Sequence, residues 1–335
     1  MGIKIVKPQL LSEEIVKIDK LDRRILFLLQ KDARISFSQI GKNLHLSKQA
    51  IKNRVERLER LEVIKQYFAL IDIYQMGYTY YRLDLRFQNI GNAREHEIIN
   101  DILKLPKLLW LAELHGIWDI AAIFLTNKLT EAEENIDYIK RKYSTEIKKH
   151  AFSISTTHSR YTYGFLTGSK DGYGISMGRE LRGVELNPTE RKVLSILAQH
   201  GRIPVTSLAA KLKKPSSTVR NIIARLKQKK VLLGFSTLID LKKIGFIHHK
   251  VYFEFRNAKN QDIKKLITYF KLHPNIVFMN KSLGPADLEC EIVTKTLSEF
   301  KKILSDIKHE HINFIEDAQS YIVIEEYQTN YYPVY

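Results

Sequence analysis

The N-terminal part of the chain carries apolar positions at helical spacing in three short segments. Asp19, Ser36 and Ser47 precede these segments and can cap the helices that the spacing predicts. The inward-facing residues are, in chain order, Ile25, Leu26 and Leu29, then Ile40 and Leu44, then Ile51, Val55 and Leu58. Two helices, a turn at His45 and Leu46, and a third helix together predict a helix-turn-helix.

The segments that follow change between strand and helix patterns. The run KQYFALID, and LGFSTLID further on, predict a wing hairpin next to each third helix. Residues 78–165 then give strand, helix, strand, strand, helix and strand, the order of a ferredoxin-like sandwich. Such a sandwich has helices on one sheet face only, so its other face is available to a second copy.

The chain aligns with itself, without a gap, at an offset of 168 residues. The matches include Arg34 with Arg202, Asn53 with Asn221, Asp72 with Asp240, Gly116 with Gly284, and Asp119 with Asp287. Chance matches would scatter over many offsets, whereas these keep one register across about a hundred residues. The sequence therefore indicates a tandem duplication.

We accordingly predict an α+β protein of two tandem units, each a winged helix-turn-helix followed by a ferredoxin-like βαββαβ sandwich. The predicted domains are 18–75 and 78–165 in the first unit, and 186–243 and 246–335 in the second unit, joined by a linker over 166–185. Residues 168–183 hold five of the 15 glycines, so we expect this linker to be flexible.

Charge narrows the class of partner. Lysine and arginine number 54 against 37 acidic residues, and the net charge of +17 favours a polyanion. No membrane span is expected, because Glu113, His115 and Asp119 interrupt the most apolar stretch, 108–126. No signal peptide is expected, and the single Cys290 excludes an internal disulfide and a Cys-rich zinc module. We expect a cytoplasmic protein with no cofactor, no bound metal and no membrane partner.

The third helix of the first unit has a polar outer face. Opposite its apolar stripe it carries Lys48, Gln49, Lys52 and Asn53. Amides can pair with adenine, cations can reach guanine or phosphate, and Ser47 at the helix start can bond a phosphate oxygen. In the second unit, residues 211–230 hold eight lysines or arginines and no acidic residue, a block that repels itself unless a polyanion is near. Both features predict double-stranded DNA as the partner.

The chain resembles the Lrp/AsnC (feast/famine) regulators. The first unit matches through LDRRILFLLQKDARISFSQIGKNLHLS, AIKNRVERLE, VIKQYFALID and LHGIWDIAA, and the second through ERKVLSILAQHGR, TVRNIIARL, LIDLKKIGF and LGPADLECEI. The family usually has glycine before and inside the wing, where this chain has Glu62 and Gln66 in the first unit and Lys230 and Gly234 in the second. We therefore expect a different wing turn in the first unit.

The resemblance implies DNA binding by the winged helices, self-association through the sandwiches, and often an amino acid bound near a Gly-x-x-Asp turn. The candidate DNA contacts are Ser47, Lys48, Gln49, Lys52, Asn53, Arg54 and Arg57, then Ser216, Ser217, Arg220, Asn221 and Arg225. The candidate effector residues are Gly116, Asp119, Gly284 and Asp287. As alternatives, Arg54 and Arg57 can pair with nearby glutamates, and both turns can be plain hairpins that need glycine. Pro215 replaces Ser47 in the second unit, so we expect its third helix to start at Ser216.

Two other functions stay open. Sirohaem decarboxylases share the duplicated architecture, and His115 would then be a candidate residue at the tetrapyrrole. Leu283 at the equivalent place of the second unit argues against this interpretation. A non-specific, chromatin-like binder would show steep salt dependence and little sequence preference. We interpret the chain as a sequence-specific transcription regulator, not an enzyme, modulated by a small metabolite such as an amino acid.

Overall fold

The computed structural model describes residues 15–178, 180–329 and 332; the segment tested for a signal peptide lies outside these ranges. The first unit comprises α1 (Lys20–Lys31), α2 (Phe37–Leu44), α3 (Lys48–Arg60), β1 (Ile64–Ile71), β2 (Thr79–Phe87), α4 (Asn92–Ile102), β3 (Leu108–Gly116), β4 (Ile120–Thr126), α5 (Leu129–Lys142) and β5 (Ile147–Tyr161). After β6 (Gly174–Gly178), the second unit comprises α6 (Pro188–Gln199), α7 (Val205–Leu212), α8 (Ser216–Gln228), β7 (Leu232–Ile239), β8 (Ile247–Phe255), α9 (Asn260–Leu272), β9 (Ile276–Leu283), β10 (Leu288–Thr294), α10 (Leu297–Glu310) and β11 (Ile315–Thr329). This element order confirms the predicted α+β fold class and the duplication.

Capping side chains explain where the first helix of each unit begins. The Asp19 carboxylate accepts the backbone N–H of Asp22, and the Asp22 carboxylate accepts the backbone N–H of Asp19. Asn187 and Glu190 form the same capping box at α6, with Pro188 in the first turn. Such boxes satisfy backbone donors that the helix itself leaves unpaired.

The two strands that follow the third helices pair with each other. β1 and β7 form a two-stranded antiparallel sheet in which Tyr67 faces Thr237 and Ala69 faces Phe235. The prediction of a wing hairpin within each unit is therefore wrong. Each run is a single strand, and an edge strand without a neighbour leaves its backbone groups unpaired. The pairing of β1 with β7 satisfies the backbone hydrogen-bonding groups along one edge of each strand.

Because β1 and β7 pair with each other, each helix-turn-helix has a hydrophobic core that contains residues of both units. Helix α1 packs on β7, and α6 packs on β1. The core around α6, α7 and α8 includes Ala69 and Ile71 from the first unit. The core around α1, α2 and α3 includes Ile239 and Phe246 from the second unit. The helix-turn-helix halves of the two units are therefore one packed body.

The sandwich domains also join within the chain. The larger sheet has the order β2-β4-β3-β11-β8-β10-β9-β5-β6, and an additional β2–β5 pairing closes eight strands into a ring. The long last strand of each unit makes the connection: β5 pairs with β2 and then with β9, while β11 pairs with β8 and then with β3. The expected association of sandwiches thus takes place inside one polypeptide, which mimics a dimer.

A buried ionic cluster joins strands of both units within the larger sheet. Arg82 Nη1 is 2.7 Å from Glu289 Oε2, and Arg82 Nε is 2.9 Å from Asp84 Oδ1. Tyr252 donates its hydroxyl to Asp84 at 2.9 Å, and Tyr321 accepts from Arg82. Burial raises the pKa of the Asp84 carboxyl despite the arginine beside it. The buried guanidinium of Arg82 is thus paired with one carboxylate from each unit, as a buried charge requires.

The connecting segment contradicts the expectation of a flexible linker. Gly174–Gly178 forms β6, which pairs with the last strand of the first sandwich. Asp171 accepts bonds from Lys31 at 2.9 Å and from Thr162 at 3.0 Å. Glycine at 174 and 178 is explained by close approach, since a Cβ at either position would lie 2.6 Å or less from β5 atoms. At these two positions glycine reflects close packing and not flexibility.

Candidate nucleic-acid interface

The helix-turn-helix of the first unit has the geometry that DNA reading needs. Helix α2 ends at His45, which adopts a left-handed conformation with φ of 56°, and the chain then turns into α3. Ser47 caps α3 by accepting the backbone N–H of Ala50 at 3.1 Å. Ile51, Val55 and Leu58 are buried, as the apolar stripe predicts. The opposite face of α3 is therefore turned outward.

The exposed face of α3 is organised by contacts along the helix. Gln49 donates to the side-chain oxygen of Asn53 at 2.7 Å, and Lys52 lies 3.6 Å from Glu56. Lys48 is exposed as well. The amide pair uses one donor and one acceptor, so both amides keep bonding capacity for a base edge. These four side chains lie where the pattern predicted.

Arg54 and Arg57 have a different surrounding. Arg54 Nη1 lies 2.8 Å from Asp19 and 2.7 Å from Asp22, and Arg57 Nη1 lies 3.2 Å from Asp22. Arg57 also donates to the carbonyl oxygen of Lys17 at 3.0 Å. The hydrogen bonds that Arg54 donates to Asp19 and Asp22 raise the pKa of its guanidinium. The partners are aspartates of α1 and not the neighbouring glutamates, so both arginines fix α3 to α1.

The second unit repeats this scaffold. Lys213 takes the left-handed conformation of the turn, with φ of 51°, and α8 starts at Ser216 as predicted. Arg225 Nε lies 2.8 Å from Glu190, the equivalent of the contact between Arg57 and Asp22. Ser217, Arg220 and Asn221 are exposed, whereas Ser216 is half-buried. The shifted helix start therefore keeps a polar outward face.

Positive charge is concentrated around α8. Of the eight cations between residues 211 and 230, seven are exposed. Within the described ranges, only Arg225 and Lys229 of these have a carboxylate within 4.0 Å, and both contact Glu190. The remaining cations are Lys211, Lys213, Lys214, Arg220, Lys227 and Lys230. Such a surface attracts a phosphate backbone strongly, and it attracts any sequence.

The turn after each third helix has a residue other than glycine where the family usually has glycine, yet it keeps the backbone conformation that favours glycine. Glu62 and Lys230 both have a φ of 55°, a conformation that favours glycine. The carboxylate of Glu62 lies 2.6 Å from Lys243 of the second unit. Equivalent residues thus have the same backbone in both units, and the expected difference between the two turns is absent at this position.

The two Gly-x-x-Asp turns serve the sheets. A Cβ at Gly116 would lie 2.9 Å from Cβ of Tyr321, and one at Gly284 would lie 2.6 Å from Cβ of Ser153. Asp119 and Asp287 accept, at 2.7 Å each, the backbone N–H of Phe87 and Phe255, which end β2 and β8. The last strand of the other unit lies too close to each turn for a side chain, which explains the two glycines. The two aspartates are explained by the backbone N–H groups that they accept at the ends of β2 and β8.

Two carboxylates near the first turn were missed by sequence analysis. Burial, with repulsion from Glu113 and Asp119, raises the pKa of Glu95 to about 7. Tyr327 of the second unit donates to Glu113 at 2.6 Å. No spacing signal links these residues, because they lie on α4, β3 and β11.

Other kinds of site have little support. His115 is exposed, at the end of β3. Within the part of the chain that the structure describes, no three His, Cys, Asp or Glu residues are grouped as a metal site would require. None of the described helices has both the length and the apolar character needed to cross a bilayer.

Family models match both helix-turn-helices. Residues 18–59 match the AsnC-type helix-turn-helix domain, and residues 186–232 match a winged helix-turn-helix DNA-binding domain. Among solved structures, the sirohaem decarboxylase NirDL has a TM-score of 0.62 at 14% identity, and the alignment covers 95% of this chain and 94% of that one. At this identity the likeness shows the duplicated fold alone.

Curated relatives are regulators of about half this length. The HTH-type transcriptional regulator LrpB of Bacillus subtilis is 36% identical over 147 residues, which are 40% of this chain and 94% of LrpB. An uncharacterised HTH-type transcriptional regulator of Pyrococcus abyssi is 32% identical over 124 residues, which are 36% of this chain and 75% of the relative. The chain belongs to the Lrp/AsnC family of transcriptional regulators.

Proposed function

We propose that the protein is a sequence-specific DNA-binding transcription regulator in which one chain does the work of a dimer. The observation that carries this proposal is the β1–β7 pairing with its shared cores, which fixes two helix-turn-helices in one body. Two recognition helices held in this way can reach two half-sites about one DNA turn, ~34 Å, or a multiple of it, apart.

The proposed contacts follow from side-chain chemistry and exposure, and Ser216 is included as the half-buried first residue of α8. They are Ser47, Lys48, Gln49, Lys52 and Asn53 in the first unit, and Ser216, Ser217, Arg220 and Asn221 in the second unit. Arg54, Arg57 and Arg225 act mainly by positioning their helices, because each binds a carboxylate of the preceding first helix. Because the exposed faces of α3 and α8 differ, we expect an imperfect palindrome as the binding site.

Modulation by a small metabolite is a second part of the proposal. The resemblance to amino-acid-responsive regulators supports an effector near Gly116 and Asp119, or near Gly284 and Asp287. One oxygen of each aspartate accepts from a strand end, and the other oxygen of Asp119 lies 3.2 Å from Arg86 Nη1. An effector at the first turn would therefore have to compete with Arg86 or use the backbone. Calorimetric titration with each amino acid tests this part, and Asp119→Asn is the variant expected to weaken the response.

The experiment for the main proposal is a selection of bound duplexes from a random pool at fixed salt. We expect enrichment of one motif with two unequal halves, bound by a single chain. If no motif is enriched, and all duplexes are bound equally with a strong dependence on salt, the result would instead support the chromatin-like alternative.

The same preparation tests the enzymatic alternative, since an enzyme shares this duplicated fold. Sirohaem is added under reducing, anoxic conditions, and carbon dioxide release is measured. We expect no decarboxylation above the rate without protein. Decarboxylation that depends on His115 would contradict the regulator as the primary function.

A further inference from the structure

A basic groove lies between the first helix-turn-helix and the first sandwich. This α1 groove has a volume of about 680 Å³ and is lined by Ile18, Lys20, Arg23, Arg24 and the segment 165–168. One wall is the start of α1, and the other is the loop that follows β5. The α1 groove is open to solvent, so a partner at the protein surface can reach its cations.

The charge of the α1 groove is of one sign. Three of its residues are cationic, and none is acidic. In the described residues, Lys20, Arg23 and Arg24 form no ion pair within 4.0 Å, and the buried Nε of Arg23 has no hydrogen-bond partner. The nearby Asp22 points the other way, toward α3. A buried N–H without a partner is costly, so an anion that accepts from Arg23 would be stabilised.

The α1 groove is continuous with the recognition helix. A second groove of about 530 Å³, whose lining includes Ile18, Lys17 and Asn53, meets it at Ile18. Asn53 is one of the exposed amides of α3. The second groove also contains Asp19 and Asp22, which pair with Arg54 and Arg57, so Lys17 is the cation of its lining that none of these ion pairs includes. The two grooves therefore connect the exposed face of α3 with the loop after β5.

We propose that the α1 groove binds phosphates of the DNA backbone that flank the half-site read by α3. This inference rests on the proposed function and adds a contact outside both helix-turn-helices. Cations and a donor without a partner suit phosphate oxygens, and they carry no base information. The groove therefore adds affinity without altering the preferred sequence.

The residues of the second unit that are equivalent to the cations of the α1 groove are less basic or already bonded. Pro188 stands where Lys20 does, and Arg191, the counterpart of Arg23, donates its Nε to the carbonyl oxygen of Leu186 at 3.1 Å. Lys192 is the exposed counterpart of Arg24. The flanking contact is therefore made on one side of the binding site only.

The test compares the full chain with Lys20→Ala/Arg24→Ala, using Lys192→Ala as the matched control. Affinity is measured for the selected duplex without flanks and after extension by about ten base pairs on either side. Wild type and Lys192→Ala are expected to gain about tenfold from one extension and little from the other. The double variant should gain nothing, and its slope of log affinity against log salt on that duplex should fall by about two.

Three results would overturn the inference. The first is equal affinity of wild type and double variant for the extended duplex. The second combines two observations: inorganic phosphate raises the melting temperature of wild type but not of the double variant, and extending the duplex does not change the affinity. The groove would then hold a free anion and not the DNA backbone. The third is failure of wild type to bind any selected duplex, which also removes the proposed function, whereas the first two leave it intact.

Discussion

Helices α3 and α8 hold equivalent places in two copies of one unit, yet their outward faces differ. Both are tied to the first helix of their unit by the same contact, from Arg57 to Asp22 and from Arg225 to Glu190. On α3, the amides and Lys52 bond along the helix. On α8, no such pairs occur among the described side chains. The contacts that position the helices are retained, while the surfaces that meet DNA differ.

The two helices also differ in the charge of the segments around them. Residues 43–62 contain five lysines or arginines and three glutamates, whereas residues 211–230 contain eight and no acidic residue. Ordered amides discriminate between bases, and uncompensated cations attract every phosphate. We infer that α3 supplies most of the sequence preference, and that α8 supplies most of the electrostatic affinity.

The largest effect is expected from removing the scaffold that the copies share. Asp22→Ala leaves two arginines without their buried carboxylate and breaks a capping box, so the free energy of unfolding should fall by about 2–3 kcal/mol. Glu190→Ala should cost about as much, through Arg225 and Lys229. Urea unfolding followed by circular dichroism measures both. Because the cores are shared, we expect one transition; separate transitions for the two halves would contradict the shared body.

The next effect separates the two helices by sequence preference. Lys52→Ala/Asn53→Ala should reduce the affinity ratio between selected and random duplexes by about 10- to 100-fold, since a bidentate base contact contributes roughly 1–3 kcal/mol. Arg220→Ala/Asn221→Ala is the matched variant in α8, and its ratio should change less. Competition binding measures both ratios. A larger loss in the α8 variant would reverse the assigned roles.

A smaller effect concerns salt. Lys213→Ala/Lys214→Ala removes two exposed cations next to α8, and the slope of log affinity against log salt should fall by up to about two, equally for selected and random DNA. Lys48→Ala, the exposed cation at the start of α3, should change this slope by about one at most. Titrations at several salt concentrations provide the slopes. An unchanged slope in the double variant would contradict the inference that α8 supplies most of the electrostatic affinity.

The smallest effect tests an asymmetry of the sandwiches. Glu95 has a pKa of about 7 against an ordinary 4.5, while the second unit has Ile263 at this position. The folded protein therefore keeps a proton that the unfolded chain releases, so stability falls as pH rises from about 4.5 to 7. Glu95→Gln should remove this loss and stabilise by about 1 kcal/mol at pH 8, because half-exposure reduces the effect. Parallel pH curves for wild type and variant would contradict the burial of this carboxyl.

Local patterns in the sequence predicted the helices because capping and apolar spacing act within a few residues. The start of α8 at Ser216 was predicted from Pro215, and the polar face of α3 was predicted from its stripe. The register of the duplication also indicated the fold, since each copy repeats the same order of elements.

Contacts between distant segments could not be predicted in this way. The strand β1 finds its partner in the second unit, a pairing that the runs themselves do not distinguish from a hairpin. The partner of Arg57 lies 35 residues away on α1, outside the helix that spacing rules describe. Glycines at 174 and 178 suggested flexibility, whereas the close approach of β5 requires them. In each case the missing information is tertiary packing.

The central claim is that one chain presents two unequal recognition helices to one duplex. Hydroxyl-radical footprinting of a single chain on its selected duplex tests it most directly. We predict two protected segments about one turn, or a multiple of it, apart, of which Lys52→Ala/Asn53→Ala weakens only one. A single protected segment, or uniform protection without sequence preference, would contradict the account.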